Sequence, residues 1–259
     1  MVSHYQTIVI KVGSSSLTNS QGKLDPAAFR RIATEVATLL KDKRKVVLVS
    51  SGAIACGAER LKLGKPKSIP EKQAASAVGQ ARLIRQYEKA FEKYGIPVAQ
   101  VLLTRDEMQE PDRYLNARNC FAALLKEKVV PIVNENDAIA IDEIKIGDND
   151  NLAALTAKMI EADLLVLLTD VDGFFMKDNK GDVFQATEIR EINQEVEESA
   201  GLSSSQLGTG GMITKIQAAK ICSDAGINMV ILNSKKRGLI KSFLAGKKVG
   251  TVFSSSKAA

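Results

Sequence analysis

Leu164-Leu165-Val166-Leu167-Leu168, closed by Thr169-Asp170-Val171-Asp172-Gly173, is an unbroken apolar run that stops at small and polar residues. A strand in a parallel sheet has this form, because helices cover both faces and leave no solvent side to alternate with. Just upstream, Leu152 to Met159 combines strong helix formers with helical spacing. Before that, Ile144-Lys145-Ile146 alternates like a half-buried strand, and Gly147-Asp148-Asn149-Asp150-Asn151 fills the turn into the helix. Strand, turn, helix and buried strand in succession predict an α/β architecture.

The same alternation extends in both directions. Toward the N-terminus it predicts a strand at Ile8-Val9-Ile10 and a helix from about Asp25 to Lys41, with Pro26 in its first turn. Phe29, Ile32, Ala33, Val36, Leu39 and Leu40 form that helix's apolar stripe. A strand at 45–49, a helix from about Glu71 to Tyr94 and a strand at 98–103 follow. A helix at 114–126 and a strand at 129–133 complete this half. Toward the C-terminus a helix from Met212 to Ala225 leads through Gly226 into a strand at 228–232. The pattern implies a parallel sheet covered on both faces, and Ser254 to Ala259 reads as a loose tail.

Bulk properties narrow the function. The chain has 259 residues, 45% hydrophobic and 25% charged, the proportions of a water-soluble globular protein. Cys56, Cys120 and Cys222 lie far apart, in no metal or redox spacing, and read as free thiols of a reducing compartment. His4 is the single histidine and reads as a solvated end residue, which argues against histidine catalysis. No apolar run reaches the roughly 18 residues that a membrane span needs, and no signal peptide precedes the first strand. These features predict a cytoplasmic protein. A net charge of +6 suits an anionic ligand. Aromatic residues are only 5% and Trp is absent, so stacking surfaces for nucleic acid are scarce. The basic run Lys235-Lys236-Arg237, with Lys241, Lys247 and Lys248, reads as a solvated face.

Polar residues gather where such a fold binds ligands, beyond the carboxyl ends of the strands. Lys11 with Gly13-Ser14-Ser15, Ser50-Ser51-Gly52, Asn134-Glu135-Asn136-Asp137 and Thr169-Asp170 each follow an apolar run. A lysine beside a Gly/Ser loop suits a phosphate, since small residues let backbone N–H groups approach and the ammonium adds charge. The order of residues is not that of the Gly-x-x-x-x-Gly-Lys-Ser/Thr loop, and Gly-x-Gly-x-x-Gly is missing from the first turn. Gly208-Thr209-Gly210-Gly211-Met212-Ile213-Thr214-Lys215 is a second phosphate candidate, with a lysine in the first turn of the following helix. Lys11 and Lys215 are therefore expected to converge on a phosphoryl group. The carboxylates and carboxamides of 148–151 suit an amino group, a metal or a lysine, or simply cap the helix.

Taken together, residues 11–15, 49–53, 134–137, 147–151 and 208–215 resemble the amino acid kinase family, and most closely its branch that phosphorylates glutamate. The resemblance runs to about residue 253, and Ser234 to Gly238 also resembles the family's C-terminal lobe. It implies an α/β/α three-layer sandwich with a mainly parallel central sheet and two lobes in one domain. The lobes are an amino-acid-binding part at about 1–160 and a nucleotide-binding part at about 161–253. It further implies a short form without the PUA-like C-terminal domain that many members carry.

Residue roles implied by the resemblance are as follows. Lys11 and Lys215 bind the transferring phosphoryl group, with Asp150 orienting them or helping to place magnesium. Ser51, Asn134, Asp137 and Asn149 hold glutamate, with Asp148 nearby. Gly13, Ser14 and Gly52 give backbone contacts to the nucleotide. Thr169 and Asp170, with Thr209, Gly210, Gly211, Met212, Ile213, Thr214 and Lys215, grip the nucleotide. Mg2+ arrives with ATP, without firm direct protein ligands. Self-association as a dimer or tetramer, inhibition by proline and coupling to glutamyl-phosphate reductase are also implied. Nucleic acid and membrane are not expected partners. Alternatives within the fold are a kinase for aspartate, N-acetylglutamate, carbamate or UMP, and outside it a sensor without turnover.

Overall fold

The computed structural model describes residues 5–19, 23–139, 148–178, 181–202 and 211–255. Its contacts group the chain into two compact units, Val12–Gly147 and Met1–Lys11 with Asp148–Ala259. The division falls at the end of the first strand, β1 (Thr7–Val12), and before Asp148.

In the 12–147 unit, a short helix α1 (Ser14–Leu17) precedes α2 (Pro26–Lys41). The Asp25 carboxylate caps α2 by accepting from the Ala27 N–H at 2.9 Å, and Pro26 occupies the first turn, where no N–H is missed. The apolar stripe is buried at Phe29, Ile32, Ala33, Val36 and Leu39, while Leu40 is half-buried. Strand β2 (Lys45–Ser50) leads through Ser51 and Gly52 into α3 (Ala53–Leu61), followed by the long α4 (Ile69–Glu92). The Ser68 hydroxyl and the Glu71 carboxylate form a reciprocal cap that starts α4 two residues before Glu71. After β3 (Val98–Leu103), helices α5 (Arg105–Gln109) and α6 (Pro111–Lys126) precede β4 (Val130–Glu135). β4 lies between β3 and β2 and is parallel to both.

The second unit contains α7 (Asn149–Met159), β5 (Leu164–Thr169) and the antiparallel hairpin β6 (Phe174–Lys177) with β7 (Val183–Ala186). β8 (Glu188–Ile189), α8 (Gln194–Leu202), α9 (Met212–Asp224), β9 (Asn228–Asn233), α10 (Leu239–Leu244) and β10 (Thr251–Phe253) follow. Its sheet order is β1-β5-β9-β10-β8, with β5 parallel to β9 and β10 antiparallel to β9. Residues 8–10, 164–167 and 229–232 have no solvent exposure, as parallel strands covered on both faces should.

Sequence and structure differ where elements are short. The Ser51-Gly52-Ala53 stretch marks a helix start, but α3 as a separate nine-residue helix was not foreseen from the pattern. The hairpin β6–β7 and strands β8 and β10 were missed, since two to four residues carry too little periodicity. Ser254 and Ser255, expected in a loose tail, are tied down. The Ser254 N–H donates to the Ile189 carbonyl and the Ser255 N–H to the Asn228 side-chain oxygen. His4, the strand and glycine at 144–147, the loop at 208–210 with Thr209 and Gly210, and residues 256–259 lie outside the described residues.

Candidate active site

The acidic turn of the sequence divides its labour. Asp148 is the N-cap of α7, and its carboxylate accepts from the N–H groups of Asp150 at 2.8 Å and Asn151 at 3.4 Å. Asn149, Asp150 and Asn151 are thereby the first turn of the helix, where the helix dipole favours a carboxylate. Asp150 has no solvent exposure. Lys11, at the end of β1, places Nζ 2.6 Å from Asp150 Oδ1. Lys215, in the first turn of α9, places Nζ 3.0 Å from Asp150 Oδ2. The Thr214 hydroxyl lies 2.9 Å from the same Oδ2 and 2.8 Å from the Gly211 carbonyl oxygen, so it ties the glycine turn to the carboxylate.

Two ammonium groups thus meet on one buried carboxylate. Burial opposes ionisation of Asp150, but the charges of Lys11 and Lys215 outweigh it and hold the carboxyl below its usual range. Asp148 goes the other way. Burial and then the Asp150 charge push its carboxyl up to about 6, against the lowering by the Asp150 N–H, Lys11 and the Asn151 N–H.

Other residues of this unit are placed as follows. Thr169 ends β5, and its hydroxyl lies 3.2 Å from the Asp170 carboxylate. Ile213 is about half exposed and Met212 half-buried at the start of α9. Asn151 donates from its side-chain nitrogen to Gln217 Oε1 at 3.1 Å, a second tie between α7 and α9. Sequence reasoning missed Asp172, which accepts from Asn233 at 2.9 Å and pairs with Lys236 at 2.6 Å. The available signal was Asp172 itself, in the same strand-end turn as Asp170. Lys236 is exposed, as expected of the solvated basic face at 235–237.

The 12–147 unit carries the remaining site residues. Gly13 caps α1, and Ser14 is its first residue. The Ser51 N–H donates to the Val12 carbonyl at 3.0 Å, and Gly52 turns the chain into α3 with a φ of 107° that favours glycine. Asn134 and Asp137 are both buried, on and just beyond β4. Behind them stands α4. The Ser76 hydroxyl donates to Asp137 Oδ2 at 2.7 Å, and Gln80 Nε2 to the Glu135 carbonyl at 3.4 Å. The Tyr87 hydroxyl is hydrogen-bonded to the Ser50 hydroxyl at 2.8 Å. These three α4 residues escaped the sequence reading. Their only local signal is a polar Ser and Gln four residues apart on a buried helical face.

Among the described residues no cluster of three or more carboxylate, thiol or imidazole side chains could hold a metal ion. Both Asp150 oxygens face ammonium groups at 3.0 Å or less. A resident divalent ion does not fit this donor set. Among the described residues no helix is long and apolar enough to cross a membrane.

Comparison with known proteins gives a consistent result. Residues 6–233 match the model of the amino acid kinase family. A glutamate 5-kinase of Clostridium acetobutylicum is 48% identical over 256 residues, covering 97% of this chain and 96% of that protein. One from Geobacter metallireducens is 47% identical over 249 residues, covering 95% of this chain and 67% of the relative. Among solved structures, carbamate kinase of Giardia lamblia bound to AMP-PNP has a TM-score of 0.68 at 18% identity, covering 98% of this chain and 99% of that one. UMP kinase of Bacillus anthracis has a TM-score of 0.62 at 14% identity, covering 98% and 97%. The two structures share the fold with this chain.

Proposed function

The chain belongs to the amino acid kinase family, and on that premise we propose that it acts as a glutamate 5-kinase. It transfers the γ-phosphoryl group of ATP to the γ-carboxylate of L-glutamate, giving ADP and L-glutamyl 5-phosphate, the first step of proline synthesis. The observation that carries the substrate is the 48% identity to a glutamate 5-kinase across nearly the whole of both chains.

The chemistry follows from charge. A carboxylate oxygen attacks the γ-phosphorus, the bond to the β–γ bridging oxygen breaks, and ADP leaves with that electron pair. The nucleophile is already ionised, so no base is needed, and the single histidine of the chain is no obstacle. What remains for the protein is alignment and neutralisation of the oxygens. Lys11 and Lys215 supply two ammonium groups, and Asp150 holds both at fixed distances. With each of its oxygens against an ammonium, Asp150 acts as their anchor rather than as a metal ligand. Magnesium enters as part of the MgATP substrate, held by the phosphates.

Ser51, Asn134, Asp137, Asp148 and Asn149 are assigned to glutamate. Gly13, Ser14 and Gly52 are assigned to the phosphates, and Thr169, Asp170 and the 209–215 segment to the nucleotide. The same reading extends to a cytoplasmic homo-oligomer inhibited by proline. A labile acyl phosphate also favours transfer to the reductase that consumes it.

ADP release measured with glutamate, aspartate, N-acetylglutamate and UMP in turn tests the acceptor. Release with glutamate alone supports the proposal, and release with another acceptor in its place overturns it.

A further inference from the structure

Helix α4 contributes nothing to the chemistry above, yet its buried face touches the chain at both stretches to which glutamate roles are assigned in its unit. Ser76 and Gln80 are one helical turn apart and Tyr87 lies two turns further, so all three share a face. Tyr87 meets Ser50, the neighbour of Ser51. Gln80 reaches the Glu135 carbonyl, and Ser76 reaches the carboxylate of Asp137.

We propose that Ser76 is a positioning residue for the amino-acid substrate, holding the Asp137 carboxylate in the rotamer that receives the substrate's ammonium group. The inference rests on the reading that Asp137 binds the amino acid. Ser76 is 1% exposed and Asp137 7%, so water does not readily take the place of this donor. A hydroxyl-to-carboxylate bond at 2.7 Å is short and charge-assisted. It fixes a carboxylate that follows β4 and lies outside any strand or helix. Gln80 steadies the same stretch two residues earlier through a backbone carbonyl, which sets the path of the chain but not the rotamer of Asp137. Of the three α4 residues, Ser76 is the one hydrogen-bonded to the carboxylate proposed to read the ammonium.

Ser76→Ala removes one oxygen from a helix interior and replaces serine by a better helix former, so the fold is retained. The test is a cycle of Ser76→Ala, Asp137→Ala and the double variant, with KM for glutamate, KM for ATP, kcat and melting temperature measured on each. The expected result is a rise of about tenfold in the glutamate KM for Ser76→Ala, the scale of one hydrogen bond to a charged group. KM for ATP and kcat stay unchanged, and Ser76→Ala adds nothing in the Asp137→Ala background. An unchanged glutamate KM in Ser76→Ala, with a raised one in Asp137→Ala, overturns the inference and leaves the site reading intact. An unchanged glutamate KM in Asp137→Ala overturns the site reading and the inference together. A parallel rise of both KM values with a lower melting temperature overturns the inference in favour of a structural role.

Discussion

Lys11 Nζ stands 2.6 Å from Asp150 Oδ1, and the carboxylate that holds it has no exposure to solvent. Lys215 occupies the other oxygen, so the pair of ammonium groups keeps its spacing only while Asp150 is ionised. Replacing Asp150 by Asn removes the buried carboxylate on which both cations close. The expected loss of folding stability is about 3–5 kcal/mol, read from urea unfolding at neutral pH. A variant as stable as the parent chain would contradict the ionic account of this cluster.

Removing one ammonium is a smaller structural insult and a larger chemical one. Lys215→Ala is expected to lower kcat by about 10²- to 10³-fold, the usual effect of losing one donor at a developing oxyanion. Circular dichroism checks that the fold persists. Near-normal kcat in a folded Lys215→Ala protein would take the lysine out of the mechanism.

The legibility of this site was uneven, for physical reasons. Lys11, Lys215 and Asp150 could be found because each sits at a strand end or helix start, where local sequence rules apply. Their mutual pairing was half-visible, as two lysines expected near one phosphate. Which of the two aspartates caps the helix and which clasps the lysines was not visible in the local pattern; only the family resemblance pointed to Asp150 as the one that orients them. Asp148 and Asp150 differ by two positions in a helix start, and that offset alone turns one toward its own backbone N–H groups. Ser76, Gln80 and Tyr87 lie 55 to 61 residues, or 37, from the groups they touch, and periodicity reports a face without its neighbour. The long strands and helices were legible for the opposite reason, since a buried parallel strand spells out its environment residue by residue.

The two aspartates also give the protein opposite pH responses. The Asp148 carboxyl is raised to about 6 from an ordinary 3.8, so between those values the folded state keeps a proton that the unfolded state has lost. Its contribution therefore makes stability fall as pH rises from about 4 to 6. Asp150 is lowered, so its contribution is present above 3.8 and is lost as pH falls below it. If Asp148 must be charged to meet an ammonium, kcat/KM for glutamate rises to a plateau above about pH 6. Asp148→Asn is expected to remove that limb, and a pH–rate profile unchanged in the variant would refute the assignment.

Gly79 on α4 packs against the first residue of α3. A Cβ there would collide with the backbone carbonyl of Ala53, immediately after Gly52. Gly79→Ala is expected to cost about 1–3 kcal/mol by overpacking, and to lower activity by shifting the Ser51-Gly52 turn. Gly201, where an added methyl meets nothing within 4 Å, is the control. Equal melting temperatures for the two alanine variants would contradict this packing.

Magnesium bound through the nucleotide leaves a different trace from a resident ion. A chelator is expected to stop turnover while leaving the melting temperature of the ligand-free protein unchanged, because no described side chains cluster as ligands. A fall in that melting temperature on chelation would point to a structural metal.

The central claim is that the product is an acyl phosphate of glutamate, and hydroxylamine traps such a product directly. Purified protein with MgATP, glutamate and hydroxylamine is expected to form γ-glutamyl hydroxamate in step with ADP. ADP without hydroxamate, or hydroxamate from another carboxylic acid and none from glutamate, would contradict it.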